Sequence, residues 1–202
     1  AQKSEITKKP VAFIPNGVSE KEFFPTKKYR SKILLRFGLD NSKKLILAPR
    51  RLDPKNGLEV LIRAIPAVIR DDKNAIFVVA GGGPQELFDK YRKLAQKISV
   101  EQHLILSGAI PYEDMQQIIP SADIVVIPSF IEAVSLAALE ALACGVPVIA
   151  SNVGGLPYVV NPSNGALFPS GDHVTLAKHI IEHLKNYEDC IAKGQEGRAQ
   201  IL

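Results

Sequence analysis

Short apolar runs recur along the chain, and stretches with helical spacing lie between them. The runs are VAFI (11–14), KLILAP (44–49), AIFVVA (75–80), HLILSG (103–108), DIVVIP (123–128), VPVIAS (146–151) and GALFP (165–169). They are rich in Val and Ile and do not alternate with polar residues, the pattern of strands covered on both faces. Segments near 57–70, 84–98, 112–120, 135–144 and 172–185 place apolar residues at helical intervals. Three helix starts are marked: Pro84 after the glycines 81–83, Asp114 opening DMQQII, and Asp172 as an N-cap in SGDHVTLAKHI. Strand and helix in alternation predict a parallel sheet with right-handed crossovers. No repeat or internal linker breaks the pattern. The expectation is a polar segment over 1–10 and one doubly wound α/β domain of about six strands over 11–202. Such sheets bind ligands beyond the carboxyl ends of their strands, so the strand-to-helix loops are the place to look.

Composition narrows the class. The chain has 202 residues, 46% hydrophobic and 23% charged, as in ordinary globular proteins. No apolar window of about 18 residues predicts a membrane span. The start, AQKSEITKKP, lacks the apolar core of a signal peptide. Cys144 and Cys190, expected in a buried and a surface helix, make no metal-ligand spacing and suit a reducing, cytosolic setting. The net charge of +4 is uneven: 14 Lys+Arg face 5 Asp+Glu in residues 1–55, and 11 face 16 beyond. A basic sector suits nucleic acid, acidic membranes or phosphorylated small molecules. Lys8, Lys9, Lys27, Lys28, Lys43 and Lys44 fall in predicted loops without interleaved aromatics, so a solvated face is expected and nucleic acid is not expected as a partner. His179 and His183 are spaced i, i+4 but lack a third metal ligand, and a solvated helix face is the expectation. His103 reads as structural. No Ser-His-Asp set or nucleophile elbow appears, and Ser129 and Ser135 lack an adjacent base.

The loops carry the candidate chemistry. In LAPRRLDPKNGLEV, Arg50, Arg51 and Lys55 stand before a helix N-terminus, where cations, backbone donors and the helix dipole make an anion site. The alternative is a surface cluster paired with Asp53 or Glu59. Gly81, Gly82 and Gly83 let the backbone approach a ligand or simply turn. They match neither a dinucleotide fingerprint nor a P-loop.

The stretch SFIEAVSLAALEALACGVPVIASNVGG (129–155) is the most informative. Ser129 and Glu132 have capping-box spacing. Glu140 has no such explanation, because its helix reads as apolar all round. A buried carboxylate must be paired, or it must line a cavity whose ligand supplies donors. If the helix runs through both, Glu132 and Glu140 stand about 12 Å apart. They could then grip two ends of an extended ligand, with the amides of Ala133, Val134, Ser135 and Leu136 facing an anion between. Two polyol ends and a central anion describe a nucleoside diphosphate sugar.

The same stretch, extended to Pro128 and Pro157, resembles the E-x7-E region of retaining glycosyltransferases of the GT-B fold, family GT4. FIPNGVSEKEFFP, RRLDPKNGLEVLIRA, VVAGGGP, LSGAIPYEDM, SADIVVIPS and NGALFPSGDHVTLAKHI agree with that family in order and spacing. The likeness covers residues 11 to about 185, and only the C-terminal, Rossmann-like, donor-binding half of the family's two domains. It implies that Glu132 contacts the transferred sugar and Glu140 the ribose hydroxyls. It implies that Arg51 and Lys55 neutralise the diphosphate, and that amides from Ala133 to Leu136 meet sugar and phosphate. Gly108, Ala109 and Ile110 would then contact the base, and Gly82 and Gly83 admit the nucleotide. The family needs no metal or other cofactor. The implied partners are a nucleotide sugar (UDP-glucose, GDP-mannose or ADP-glucose) and the chain's own N-terminal domain. The implied setting is the cytoplasm, with contact at the inner membrane face only through the full-length protein. The implied reaction is hexose transfer with retention, for which this fragment alone is expected to be inactive. The chain departs from the family at three places: Ala133-Val134-Ser135 replaces Gly-Phe-Gly, Asn56 takes the place of the usual Lys, and Tyr158 that of a Glu. A binding-only module, a phosphorylase or an epimerase are the alternatives. A dinucleotide oxidoreductase lacks its G-x-G-x-x-G here.

Overall fold

A computed structural model describes residues 16–202; the VAFI run at 11–14 lies outside them. The other six apolar runs are the six strands: β1 (Lys44–Ala48), β2 (Ala75–Ala80), β3 (Leu104–Gly108), β4 (Ile124–Ile127), β5 (Val148–Ser151) and β6 (Gly165–Phe168). All pair in parallel, in the order β3-β2-β1-β4-β5-β6. Every residue of β2, β4 and β5 is buried, which is why their sequences do not alternate.

Ile46 and Ala48 of β1 enter one apolar layer with α2 (Leu58–Asp71), α3 (Gln85–Lys97) and α6 (His173–Lys185). Leu45 and Leu47 enter the other, with α1 (Arg30–Arg36), α4 (Tyr112–Ile118) and α5 (Leu136–Ala143). Helix α2 buries Leu58, Leu61, Ile62, Ile65 and Val68 along one face. Each such side chain contributes about 1.5–3 kcal/mol by leaving water. Arg30 ties α1 to the sheet through Asp123, at 2.9 Å, and the same carboxylate oxygen accepts from the Leu45 amide at 2.7 Å.

Two helices escape the periodicity, α1 and α7 (Tyr187–Ile201). Helix α7 lies against α5, where a Cβ on Gly194 would come 2.0 Å from the Gly145 carbonyl oxygen. It turns Cys190 inward to 3% exposure, which corrects the surface placement expected for it. Burial pushes the thiols of Cys190 and Cys144 up to about 12. His183 is buried too, not on a solvated face. Its Nδ1 lies 2.8 Å from the His179 carbonyl, and burial lowers its pKa. His103 has a structural contact, Nδ1 to the Ala75 carbonyl at 2.8 Å. Asp172 caps α6 by accepting from the Val174 and Thr175 amides. Asp114 does not open α4, which starts at Tyr112; it pairs with Arg36 at 2.8 Å.

From β1 the chain steps outward to β2 and β3, then returns as β4 on the other side of β1. The two directions part at the carboxyl ends of β1 and β4, where a doubly wound sheet opens its crevice.

Candidate functional site

Two loops form that crevice. After β1, Asp53 caps a single 3-10 turn at Pro54–Asn56 by accepting from the Lys55 amide at 3.0 Å. Gly57, at φ +66°, then leads into α2 so close to Pro128 that a Cβ would lie 1.9 Å from its carbonyl oxygen. The loop after β4 is pinned at three points. The Phe130 amide donates to the Lys55 carbonyl at 2.8 Å, Ser151 Oγ donates to the Ser129 carbonyl, and the Gly155 amide donates to the Glu132 carbonyl at 3.3 Å. Gly154, at φ +53°, presses on the same carbonyl, where a Cβ would sit 1.6 Å away.

Between these loops lies an open cavity of about 430 Å³ lined by Arg50, Arg51, Lys55, Asn56, Glu132 and Ala133, among others. The fold therefore brings together all three residues expected to do chemistry. Arg51 is exposed, and no acceptor pairs with its guanidinium among the described residues. Lys55 reaches only Asp53, at 3.8 Å, with half of its side chain in solvent. Arg51 is open to an anion, whereas Lys55 already has the loose, solvent-exposed pairing with Asp53 that the alternative reading expected.

Arg50 behaves differently: the sequence grouped it with Arg51 and Lys55 as a cation for an anion, and the structure turns it instead to a carboxylate of the chain itself. Its Nη2 lies 2.8 Å from Asn56 Oδ1, 2.7 Å from Ser129 Oγ and 2.5 Å from Glu132 Oε2. Both members of the ion pair are 14% exposed. No signal in the sequence could have singled it out, because both faces of β1 are buried and adjacent arginines look alike. These bonds also correct the capping-box reading: Ser129 and Glu132 serve Arg50, and the N-cap of α5 is Ser135, which accepts from the Ala138 amide at 3.3 Å.

Helix α5 begins only at Leu136, so Glu132 stands in the preceding loop and the eight-residue spacing is not a helical rise. The helix is not apolar all round in its surroundings. Ala138, Leu139, Ala141, Leu142 and Ala143 are buried, while Leu136, Ala137 and Glu140 share an open face. Among the described residues no donor or cation reaches the Glu140 carboxylate. Its pKa is raised, first by partial burial and then by the charge of Glu22. Glu22 in turn accepts from Tyr112 Oη at 3.2 Å. The amides of Ala133, Val134, Ser135, Leu136 and Ala137 likewise find no acceptor among the described residues. Of these residues Ala133 lines the cavity, and Val134 borders a separate hollow.

The remaining predicted residues sit on adjacent loops. A Cβ on Gly83 would lie 2.5 Å from Leu52 Cβ, and one on Gly82 would lie 3.1 Å from Ala109 Cβ. These contacts within the chain account for both glycines without a ligand. Gly108, at φ +79°, faces open space, and Ile110 packs on the α4 side of the sheet. Tyr158 is 88% exposed and borders an apolar hollow with Val134, Leu139 and Val159. Among the described residues no three His, Cys, Asp or Glu side chains converge as a metal site, and no helix is long and apolar enough to cross a membrane.

Comparison with known proteins gives the family and the fold. The family model of glycosyl transferases group 1 matches residues 30–200. A GDP-mannose-dependent monoacylated alpha-(1-6)-phosphatidylinositol monomannoside mannosyltransferase of Corynebacterium glutamicum is 33% identical over 196 residues, covering 93% of this chain and 50% of that protein. Two solved structures share the fold. One is Anabaena HepE in complex with UDP-glucose (TM-score 0.84, 22% identity, 92% of this chain and 51% of that one). The other is the C-terminal domain of a glycosyl transferase group 1 family protein from Francisella tularensis (TM-score 0.81, 22% identity, 91% of this chain and 95% of that one). The chain spans about half the length of the curated relative and about the whole of the isolated C-terminal domain. It is one Rossmann-like lobe of a GT-B fold, and it belongs to the glycosyl transferases group 1 family.

Proposed function

We propose that this chain is the donor-binding half of a retaining hexosyltransferase. The observation that carries the reading is the cavity at the β1/β4 crevice, whose lining brings Arg51, without an acceptor among the described residues, and Lys55 together with Glu132 and the unpaired amide of Ala133. That arrangement suits the diphosphate of a nucleotide sugar. Arg51 and Lys55 stabilise the negative charge that grows on the leaving phosphate, a task a metal performs elsewhere, so the reaction is metal-independent. Glu132 holds the sugar through Oε1, since Oε2 is taken by Arg50. Glu140 accepts from the ribose hydroxyls, which supply the donors it lacks in the free chain. The loop at Gly108, Ala109 and Ile110 meets the base, and Gly82 and Gly83 flank the nucleotide. The acceptor binds the N-terminal half. The lipid acceptor named for the Corynebacterium relative suggests a cytoplasmic enzyme working at the inner membrane face.

The test is calorimetric titration of the full-length protein with UDP-glucose, GDP-mannose, ADP-glucose and NAD, repeated on Glu140→Ala and Arg51→Ala. One nucleotide sugar should bind, and both substitutions should weaken it. Binding that neither substitution alters would refute the site. Tight binding of NAD alone would refute the class. Measurable transfer by the 202-residue chain without its N-terminal half would refute the division of labour.

A further inference from the structure

Arg50 is held in a way that packing does not explain. One nitrogen, Nη2, is shared by three oxygens from three places in the chain: Asn56 Oδ1, Ser129 Oγ and Glu132 Oε2. Meanwhile Nε is buried with no acceptor. A buried donor left unpaired is costly, and an apolar side chain of similar size would avoid the cost. The surroundings are nevertheless arranged around the guanidinium. The Asn56 side-chain amide donates to the Arg51 carbonyl at 2.8 Å, which turns its Oδ1 toward Arg50. Ser129 is fully buried, and its own carbonyl is held by Ser151. What this gives the site is a fixed Glu132, with one oxygen engaged and Oε1 left for the cavity.

We infer that Arg50 is the positioning residue for Glu132, and that the site requires a positive charge at this point, whichever residue supplies it. The inference rests on the reading of the cavity as a nucleotide-sugar site. Arg50 acts through Glu132 on the sugar, whereas Arg51 and Lys55 act on the diphosphate. Loss of Arg50 therefore affects ligands that carry a sugar and spares those that do not. The charge can also come from elsewhere. Asn56 Oδ1 touches Nη2, so a lysine at position 56 would place its ammonium in the space a truncated Arg50 leaves.

The experiment compares UDP-glucose with UDP, and GDP-mannose with GDP, by calorimetry on the full-length protein, its Arg50→Ala variant and the Arg50→Ala/Asn56→Lys double variant. Arg50→Ala should lose about tenfold or more in affinity for the sugar nucleotide, the scale of a lost charge-assisted hydrogen bond. It should lose less than about threefold for the bare diphosphate. The double variant should recover most of the sugar-dependent part. Equal losses for both ligands with no recovery would reduce Arg50 to a structural role and overturn the inference. So would an Arg50→Ala variant that binds the sugar nucleotide as the wild type does. A wild-type protein that binds none of the four ligands would overturn the reading of the cavity, and the inference with it.

Discussion

Glu132 and Glu140 lie eight residues apart in one stretch, and the protein treats them in opposite ways. Glu132 is enclosed: an arginine holds its side chain, Gly154 packs on its carbonyl, and the Gly155 amide donates to the same carbonyl. Glu140 has no partner among the described residues, and the charge of Glu22, which acts on it, has the same sign. One carboxylate is assembled before any ligand arrives. The other is half-buried without a partner among the described residues, and its charge is disfavoured there. In enzymes, fixed groups belong where geometry decides the reaction, and unsatisfied groups belong where binding energy is collected. On the proposed function, Glu132 belongs to the reacting end and Glu140 to the recognition end.

Attacking the enclosed end should have the largest effect. Gly154→Val puts a β-branched side chain at φ +53° with its Cβ 1.6 Å from the Glu132 carbonyl oxygen. A loss of about 3 kcal/mol in urea unfolding is expected, with donor binding lost alongside. Attacking the open end should separate binding from stability. Glu140→Ala should weaken nucleotide binding by about tenfold in calorimetry, because its acceptors are used only in the complex. Its melting temperature should not fall. A destabilised Glu140→Ala would mean that the carboxylate already has a structural partner, and the contrast would collapse.

The smaller effects sharpen the same comparison. Ser135→Ala removes the N-cap of the helix that joins the two ends and should cost about 1 kcal/mol in urea unfolding. The smallest effect is a pH signature. The folded pKa of Glu140 is raised above its ordinary 4.5, so the protonated form favours the fold and the ionised form opposes it. Relative to Glu140→Gln, the wild type should be equally stable below pH 4.5. It should fall behind as pH climbs through the raised folded value, and then hold a constant deficit. Melting curves of the two proteins across that window provide the check; a gap that opened toward acid would reverse the assignment.

The strands were legible because doubly covered strands spell themselves as unbroken Val and Ile runs. Helix α1 was not, since RSKILLR buries only Ile33 and Leu34, too little to show a period. Helix α7 was hidden by Gly194 and Gly197, which read as breakers but serve close approach, to the Gly145 backbone and the Leu142 side chain. In the site, the residue types and their grouping were visible. Sequence spacing could not show which of two adjacent arginines turns inward. Nor could an alanine-rich helix reveal that its face at Leu136, Ala137 and Glu140 is left open, because small residues suit a tight core and a ligand cleft equally well.

The pairing of β1 with β4 has a consequence in time. Ile46 lies beside Ile124, and the cavity takes its walls from residues 49–56 on one side of that pairing and 131–133 on the other. During synthesis the cavity does not exist until β4 has emerged and slotted in beside β1, and contacts so distant along the chain form slowly. A phosphate compound that fits the cavity therefore binds only chains that have completed this step and holds them there by mass action. Its concentration then governs how much of a freshly made population stays in the finished topology.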